Sequence, residues 1–370
     1  MINIVLIAGG FSFYSNNNSI LQYFITKYND PDVNIIEVYP PPFSSNFDSA
    51  CYAFYQLKGG RTYFGEEHAK KYGHNVYCAQ YDNPLLPEWD ENNPIHILGH
   101  SHGGHTAQQL QFLLESKHFP GHNTSKEWIK SITFLATPFK GSINGVVSYY
   151  VATLPIIKQL LFLYTYTGVS NYLLPLLVRQ WNIEKDQVGS ISEAYNNYLK
   201  YLASDDIDFA KTSYRDLLVP DEYPVYDSTY YFLFHTYSII YINLFFFGLY
   251  VPYDILQFTL NPFRLFIRIW GYIVSIATYL FYMLNGKKVK VKDIFTTDGV
   301  VTFYSSKAPN NIPVYKISFD EDVNNIKPGT YYRLARYRNM THIDPLGFLY
   351  HRDQGLFNKY FDFIKRLESK

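Results

Sequence analysis

From Met1 to Thr137, short apolar-rich runs alternate with longer amphipathic ones. Ile4 to Ala8, Asn34 to Val38, Ile95 to Leu98 and Ser131 to Ala136 have strand length, while Ser19 to Lys27, Asp48 to Leu57 and Gln108 to Leu114 read as helices. Such alternation predicts an α/β fold, with a mostly parallel central sheet and helices on both faces. The turn residues of Thr137-Pro-Phe-Lys-Gly141 close the block.

Beyond that point the pattern changes. Val147 to Val151 and Ile156 to Leu163 are apolar and nearly uncharged, and the region is punctuated by Pro155, Gly168 and Pro175. They predict cap helices within residues 141–215, a lid whose apolar inner face opens at an interface. Tyr237 to Tyr253 and Ile269 to Asn285 each run 17 residues without a charge, the lower edge of what crosses a bilayer. With Pro252, Pro262, Arg264 and Arg268 around the join, residues 237–285 read as a membrane-associated insertion, a helical hairpin lying in a leaflet. Ordinary core strands and cap helices are the alternative. The first ten residues lack a basic leader and pass straight into Gly9-Gly10-Phe11, so they read as a buried strand rather than a secretory signal. The expectation is a single domain over residues 1–370, intracellular or already processed, with membrane attachment open.

Lysine plus arginine equals aspartate plus glutamate at 32 each, and no run supplies the basic patch that a nucleic-acid partner needs. Two cysteines, Cys51 and Cys78, give neither a disulfide framework nor a zinc-finger spacing. The aromatic share is 19%, with 37 tyrosines and 29 phenylalanines. Tyrosine favours boundaries between apolar and wet surroundings, which suits a lipid-facing protein; an AT-rich genome enriches the same residues.

The chemistry concentrates in Ile95-His-Ile-Leu-Gly-His-Ser-His-Gly-Gly104. An apolar strand, then Gly99-His-Ser101-His-Gly103, then a helix is the context of the nucleophile elbow of α/β-hydrolases. A plain strand-to-helix turn, or a metal cluster of His96, His100, His102 and His105, are the other readings, the second weaker because those histidines share no one face. A serine nucleophile needs a base and an orienting acid, which follow in the order Ser, acid, His. Asp298, on a turn with Gly299, and His342, in a loop before the last helix, fill those places, with Asp293 and His351 as rivals. An oxyanion hole needs two backbone N–H groups, and Phe11 and His102 stand where they are required.

Further strings carry a resemblance. They are Ser44-Ser-Asn-Phe-Asp48, Tyr55-Gln-Leu-Lys-Gly-Gly60, His68-Ala-Lys-Lys-Tyr-Gly-His74, Ala136-Thr-Pro138, Leu217-Leu-Val-Pro220 and Asp298-Gly-Val-Val301. The chain resembles the staphylococcal and thermoalkaliphilic bacillus triacylglycerol lipases, from Met1 to about Gly347 and most weakly over 237–291. The resemblance implies hydrolysis of long-chain acylglycerol esters, with phospholipase, short-chain esterase or a non-catalytic lipid-binding protein as rivals. It also implies a structural zinc in an insertion over 39–80, held by Asp48, His68, His74 and Asp216. Two histidines with two carboxylates suit four-coordinate zinc independently. The family's calcium motif is broken. Asp344 takes its first acidic position, but Leu349 and Tyr350 replace an acidic residue and a proline, which points to loss of calcium unless Asp353 substitutes. Gly9 also stands where the family has histidine, which leaves the backbone donor in place. The apolar 237–285 segment and the strand-like N-terminus lead to the expectation of a homologue working at an internal membrane or lipid-droplet surface.

Overall fold

β-Branched and aromatic residues favour a pleated, buried backbone, and seven segments pair into one sheet. These are β1 (Ile2–Ile7), β2 (Val33–Val38), β3 (Ile95–His100), β4 (Ile129–Leu135), β5 (Tyr230–Tyr237), β6 (Val314–Lys316) and β7 (Tyr331–Arg338). Their order is β6-β7-β5-β4-β3-β1-β2, and every neighbouring pair is parallel. The computed structural model describes residues 1–9, 14–15, 18–19, 28–41, 43–168, 179–206, 223–244, 247–252, 262–309, 312–338, 340–344 and 354–370. The helix expected over Ser19 to Lys27 falls mostly outside them.

The helices are α1 (Asn46–Lys58), α2 (Glu66–Tyr72), α3 (Gly103–Glu115), α4 (Ile143–Thr153), α5 (Pro155–Tyr166), α6 (Ile191–Ala203), α7 (Pro262–Leu284), α8 (Val291–Phe295) and α9 (Gln354–Glu368). Strand residues alternate between the sheet's faces. Val5, Ile7, Ile97, Phe134 and Leu233 pack under α1 and α3, while Ile4, Leu6, Leu98, Phe232 and Phe234 pack under α9. The fold is therefore the α/β arrangement expected, with both faces covered. α1 starts where the Ser45 side chain accepts the Asp48 N–H at 3.1 Å, and ends at Gly59 with φ 82°.

The lid region holds an elbow: α4 and α5 meet at 87°, broken at Leu154 before Pro155. A proline at the first helical position starts a new helix and ends the old one. α6 buries Ala194, Tyr198, Tyr201 and Leu202 against Phe162 and Trp181.

The helical hairpin expected over 237–285 does not form. Tyr237 ends β5, and the described residues that follow in the first apolar stretch make an antiparallel ribbon, Ile239–Leu244 with Phe247–Pro252. Ile239-Ile-Tyr-Ile and Leu249-Tyr-Val are β-formers, and a ribbon satisfies their backbone groups without a helix. Only the second stretch is helical, within the 23 residues of α7. Arg268 lies inside that helix and is buried, not at a hairpin turn.

Candidate active site

β3 is buried along its whole length and ends at His100. The chain then turns sharply into α3, and Ser101 takes φ 55°. An L-residue pays about 1–2 kcal/mol for that left-handed conformation. The glycines around it make the turn feasible. A Cβ on Gly103 would come within 2.2 Å of the Ile7 carbonyl oxygen, and one on Gly104 within 2.1 Å of Thr137 Oγ1. Ser101 thus stands at the carboxyl end of β3, with His102 as N-cap of α3. The positive end of a helix dipole favours negative charge there.

The acid comes from a turn bonded beside the carboxyl end of β5, where the Ser238 N–H donates to the Thr297 carbonyl. Asp298 sits after α8, and its buried carboxylate is tied down at both oxygens. Oδ1 accepts the N–H groups of Val300 at 3.0 Å and Val301 at 2.8 Å; Oδ2 accepts the Thr236 hydroxyl at 2.8 Å. His342 arrives on the loop after β7. Its Nδ1 lies 2.8 Å from Asp298 Oδ2 and its Nε2 2.8 Å from Ser101 Oγ. The His342 N–H donates to the Asp298 carbonyl at 2.9 Å, and His100 Nε2 donates to the His342 carbonyl at 3.0 Å. Burial alone would raise the Asp298 pKa. The charge and hydrogen bond of His342, with the Val301 and Val300 amides, more than offset it and hold the carboxyl below its ordinary value. The arrangement can move a proton from a serine hydroxyl to an imidazole beside a fixed negative charge.

The rivals fall elsewhere. Asp293 pairs with Lys307 at 2.6 Å, and His351 lies outside the described residues. His96, His100 and His105 go to separate partners: Ser131 and Glu368, the His342 carbonyl, and the Pro138 carbonyl. That dispersal leaves no metal site among them. Burial, with the charge of His342 for one and His105 for the other, pushes His100 and His102 down to about 3.

Of the two oxyanion residues, His102 sits at the turn and Phe11 lies outside the described residues. Gly9, the last described residue of the strand end before it, packs against the nucleophile. A Cβ there would stand 2.6 Å from Ser101 Cβ and 3.2 Å from His102 N. Asp344 accepts the Thr341 N–H at 2.7 Å and so braces the His342 turn. The remainder of the calcium motif lies outside the described residues.

A second cluster lies in the insertion after β2. One ligand atom from each of Asp48, His68, His74 and Asp206 can be chosen so that all lie within 4.8 Å of one another. Asp48 is in the first turn of α1, His68 is in α2, and His74 follows Gly73 in the left-handed conformation. The fourth corner is Asp206 where the resemblance implied Asp216, which lies outside the described residues. Asp206 follows the end of α6, where its N–H donates to Ser204 Oγ at 3.0 Å, and its Oδ2 lies 3.4 Å from both His68 Nε2 and His74 Nε2. His74 Nδ1 donates to the Asn75 carbonyl at 2.8 Å, leaving Nε2 as the inward lone pair. Gln180 Nε2 donates to Asp48 Oδ2 at 2.7 Å and is itself held by Tyr52. Burial, and then the neighbouring Asp206 carboxylate, push the Asp48 pKa up. His74 Nε2 and Asp206 Oδ2 are buried and form no well-aligned hydrogen bond. Two imidazoles and two carboxylates converging on one buried point fit a divalent cation.

The comparisons with known proteins agree with this fold. The family described as Lipase-like, C-terminal domain, matches residues 25–219, more than half of the chain. The chain belongs to this lipase family. Lipase 1 of Staphylococcus aureus is 31% identical over 176 residues, covering 43% of this chain and 24% of that protein. Lipase 2 of the same species is 28% identical over 192 residues, 47% of this chain and 26% of that protein. The match thus spans about a quarter of the length of these curated relatives. Among solved structures, Staphylococcus hyicus lipase aligns with TM-score 0.71 at 19% identity, over 100% of this chain and 96% of that one. EstA from Clostridium botulinum aligns at 0.64 and 23% identity, over 99% and 87% of the two chains. At these identities the property that this lipase-family chain shares with them is the fold.

Proposed function

We propose that the chain is a serine ester hydrolase acting on long-chain acylglycerol esters. The observation that carries this reading is the line from Ser101 Oγ through His342 to Asp298, two contacts of 2.8 Å each. Ser101 Oγ forms a bond to the ester carbonyl carbon as its proton passes to His342 Nε2. The carbonyl electron pair moves onto oxygen, where the N–H groups of His102 and Phe11 receive it. Collapse expels the alcohol, which takes the proton from His342. Water then repeats the sequence on the acyl-enzyme and releases the fatty acid. The names of the related lipases and the exposed apolar elbow at Leu154 favour a lipid ester over a soluble one.

The cation of the second cluster is zinc in this reading, held by Asp48, His68, His74 and Asp206. It ties the insertion to the lid and takes no part in bond cleavage.

A substrate panel tests the proposal: a soluble short-chain ester, medium- and long-chain triacylglycerol emulsions, and phospholipid vesicles, each with the metal-loaded chain. Fatty acid released mainly from long-chain triacylglycerol is the expected result. Turnover of the soluble ester alone would make it an esterase, and of vesicles alone a phospholipase. A folded chain inactive on all four would be a lipid-binding protein.

Thr236 is a positioning residue in the same scheme, because its hydroxyl holds the oxygen of Asp298 that faces His342. Thr236→Val should lower kcat roughly tenfold with KM unchanged, the loss of one hydrogen bond to a charged acceptor. An equal change in KM would mean that Thr236 shapes the substrate site instead.

A further inference from the structure

α7 is inside out for a surface helix. Phe266, Ile269, Ile273, Ile276, Leu280 and Met283 recur at spacings of three and four and are each 50–63% exposed. They form one stripe facing solvent, on the order of 600 Å², at or above the largest apolar patch of an ordinary soluble monomer. The polar groups of the helix point the other way, into the fold. Ser275 Oγ donates to the Ile294 carbonyl, Tyr282 OH to the Lys140 carbonyl, and Trp270 Nε1 to Asn144 Oδ1. Arg268 and Thr278 are buried on that same inner side. A helix so anchored along its length cannot stand across a bilayer with lipid on all sides. It can lie along one.

Charge says what covers the stripe. From Ile255 to Lys292 the chain holds no aspartate or glutamate, and Lys287, Lys288, Lys290 and Lys292 follow the helix within eight residues. Lys288, Lys290 and Lys292 are exposed. A second copy laid antiparallel on the stripe would bring these lysines to the start of α7, where the sequence from Ile255 through the helix carries no acid to pair with them. An anionic headgroup layer matches both features, taking the apolar stripe among its acyl chains and the lysines at its phosphates. The exposed elbow residues Leu154 and Ile156 extend the same kind of surface on the neighbouring α4–α5 pair.

We infer that α7 is an in-plane docking helix for an anionic phospholipid leaflet. Its inner side backs the acid turn of the active site: a Cβ on Gly271 would meet Gly299 Cα at 2.8 Å, and one on Gly299 would meet Ile267. Docking therefore sets the Asp298 end of the triad beside the lipid surface, a placement whose use in catalysis rests on the function proposed above.

The test is flotation of the full, metal-loaded chain with vesicles of phosphatidylcholine alone and of phosphatidylcholine with phosphatidylserine, at low and high salt. The variants are Ile273→Gln/Ile276→Gln/Leu280→Gln and Lys288→Glu/Lys290→Glu/Lys292→Glu, with turnover of a soluble short-chain ester followed in parallel. The wild type should partition about tenfold more onto the anionic vesicles, and salt and either triple variant should remove that gain. Short-chain turnover should stay at the wild-type level in both variants. Wild-type binding to neither vesicle, or binding unchanged in both variants, overturns the inference. So does a wild-type dimer that the glutamine variant splits without any vesicle binding, since the stripe would then be a contact between copies. Vesicle binding without ester turnover by the wild type would instead sink the hydrolase reading and leave the docking helix standing.

Discussion

Ser101→Ala should lower kcat on any ester the wild type cleaves by roughly ten-thousand-fold or more, with the fold and metal content unchanged. Without the hydroxyl there is no acyl-enzyme, and His342 has no proton to take from the turn; the residual rate is what the oxyanion donors and binding alone can give. Backbone strain separates this outcome from a folding defect. Alanine at φ 55° is strained as serine is, so Ser101→Ala should melt within a degree or two of the wild type. Ser101→Gly removes both the hydroxyl and the strain, and should be as inactive but more stable by about 1 kcal/mol. Substantial turnover in either variant would remove Ser101 from the mechanism and reopen the hydrolase assignment.

Stripping the divalent ion from the insertion should be the largest perturbation of stability. If the chain binds the ion with a thousandfold excess over its dissociation constant, removal costs about 4 kcal/mol. For a chain of this size that is a fall in Tm of roughly 5 °C. His74→Ala and Asp206→Asn should each melt near the stripped wild type and carry no zinc by elemental analysis. Asp216→Asn should keep both its zinc and its Tm. The reverse pattern, zinc lost from Asp216→Asn and kept by Asp206→Asn, would return the fourth ligand to the position that the motif implied.

The two carboxylates show what a sequence does and does not disclose. Asp48 lies in a string whose neighbours, Ser45 as cap and Gly59 as stop, also build α1, so the motif and the local fold point to the same residue. Asp206 belongs to no such string. It reaches the cluster because α6 ends at Ala203 and Ser204 caps the next turn, a placement set by packing of α6 against Trp181 and Phe162. The available signal was an acidic pair, Asp205-Asp206, directly after a strongly amphipathic helix. The nucleophile turn was legible for the opposite reason: Gly99 and Gly103 are required by backbone within 3 Å, and Gly104 by the Thr137 side chain within 3 Å. Thr236 and His100 could not be assigned their partners from sequence, because those lie 62 and 242 residues away and no motif or order rule links them. The ribbon over 239–252 was misread as helix because a run without charges has no period, and only its β-branched content spoke for strands.

The seven-stranded sheet has a kinetic consequence. Every strand pairing in it is parallel, so each must wait for a crossover, and none can zip from a tight turn. His342 joins Ser101 across 241 residues of chain and Asp298 across 44. The nucleophile can be in place once β3, β4 and α3 meet, while its base arrives only with β7. During refolding, burial of tryptophan should therefore run ahead of regained turnover, and enzymatic activity becomes a clock for the last long-range closure of the chain rather than for its collapse.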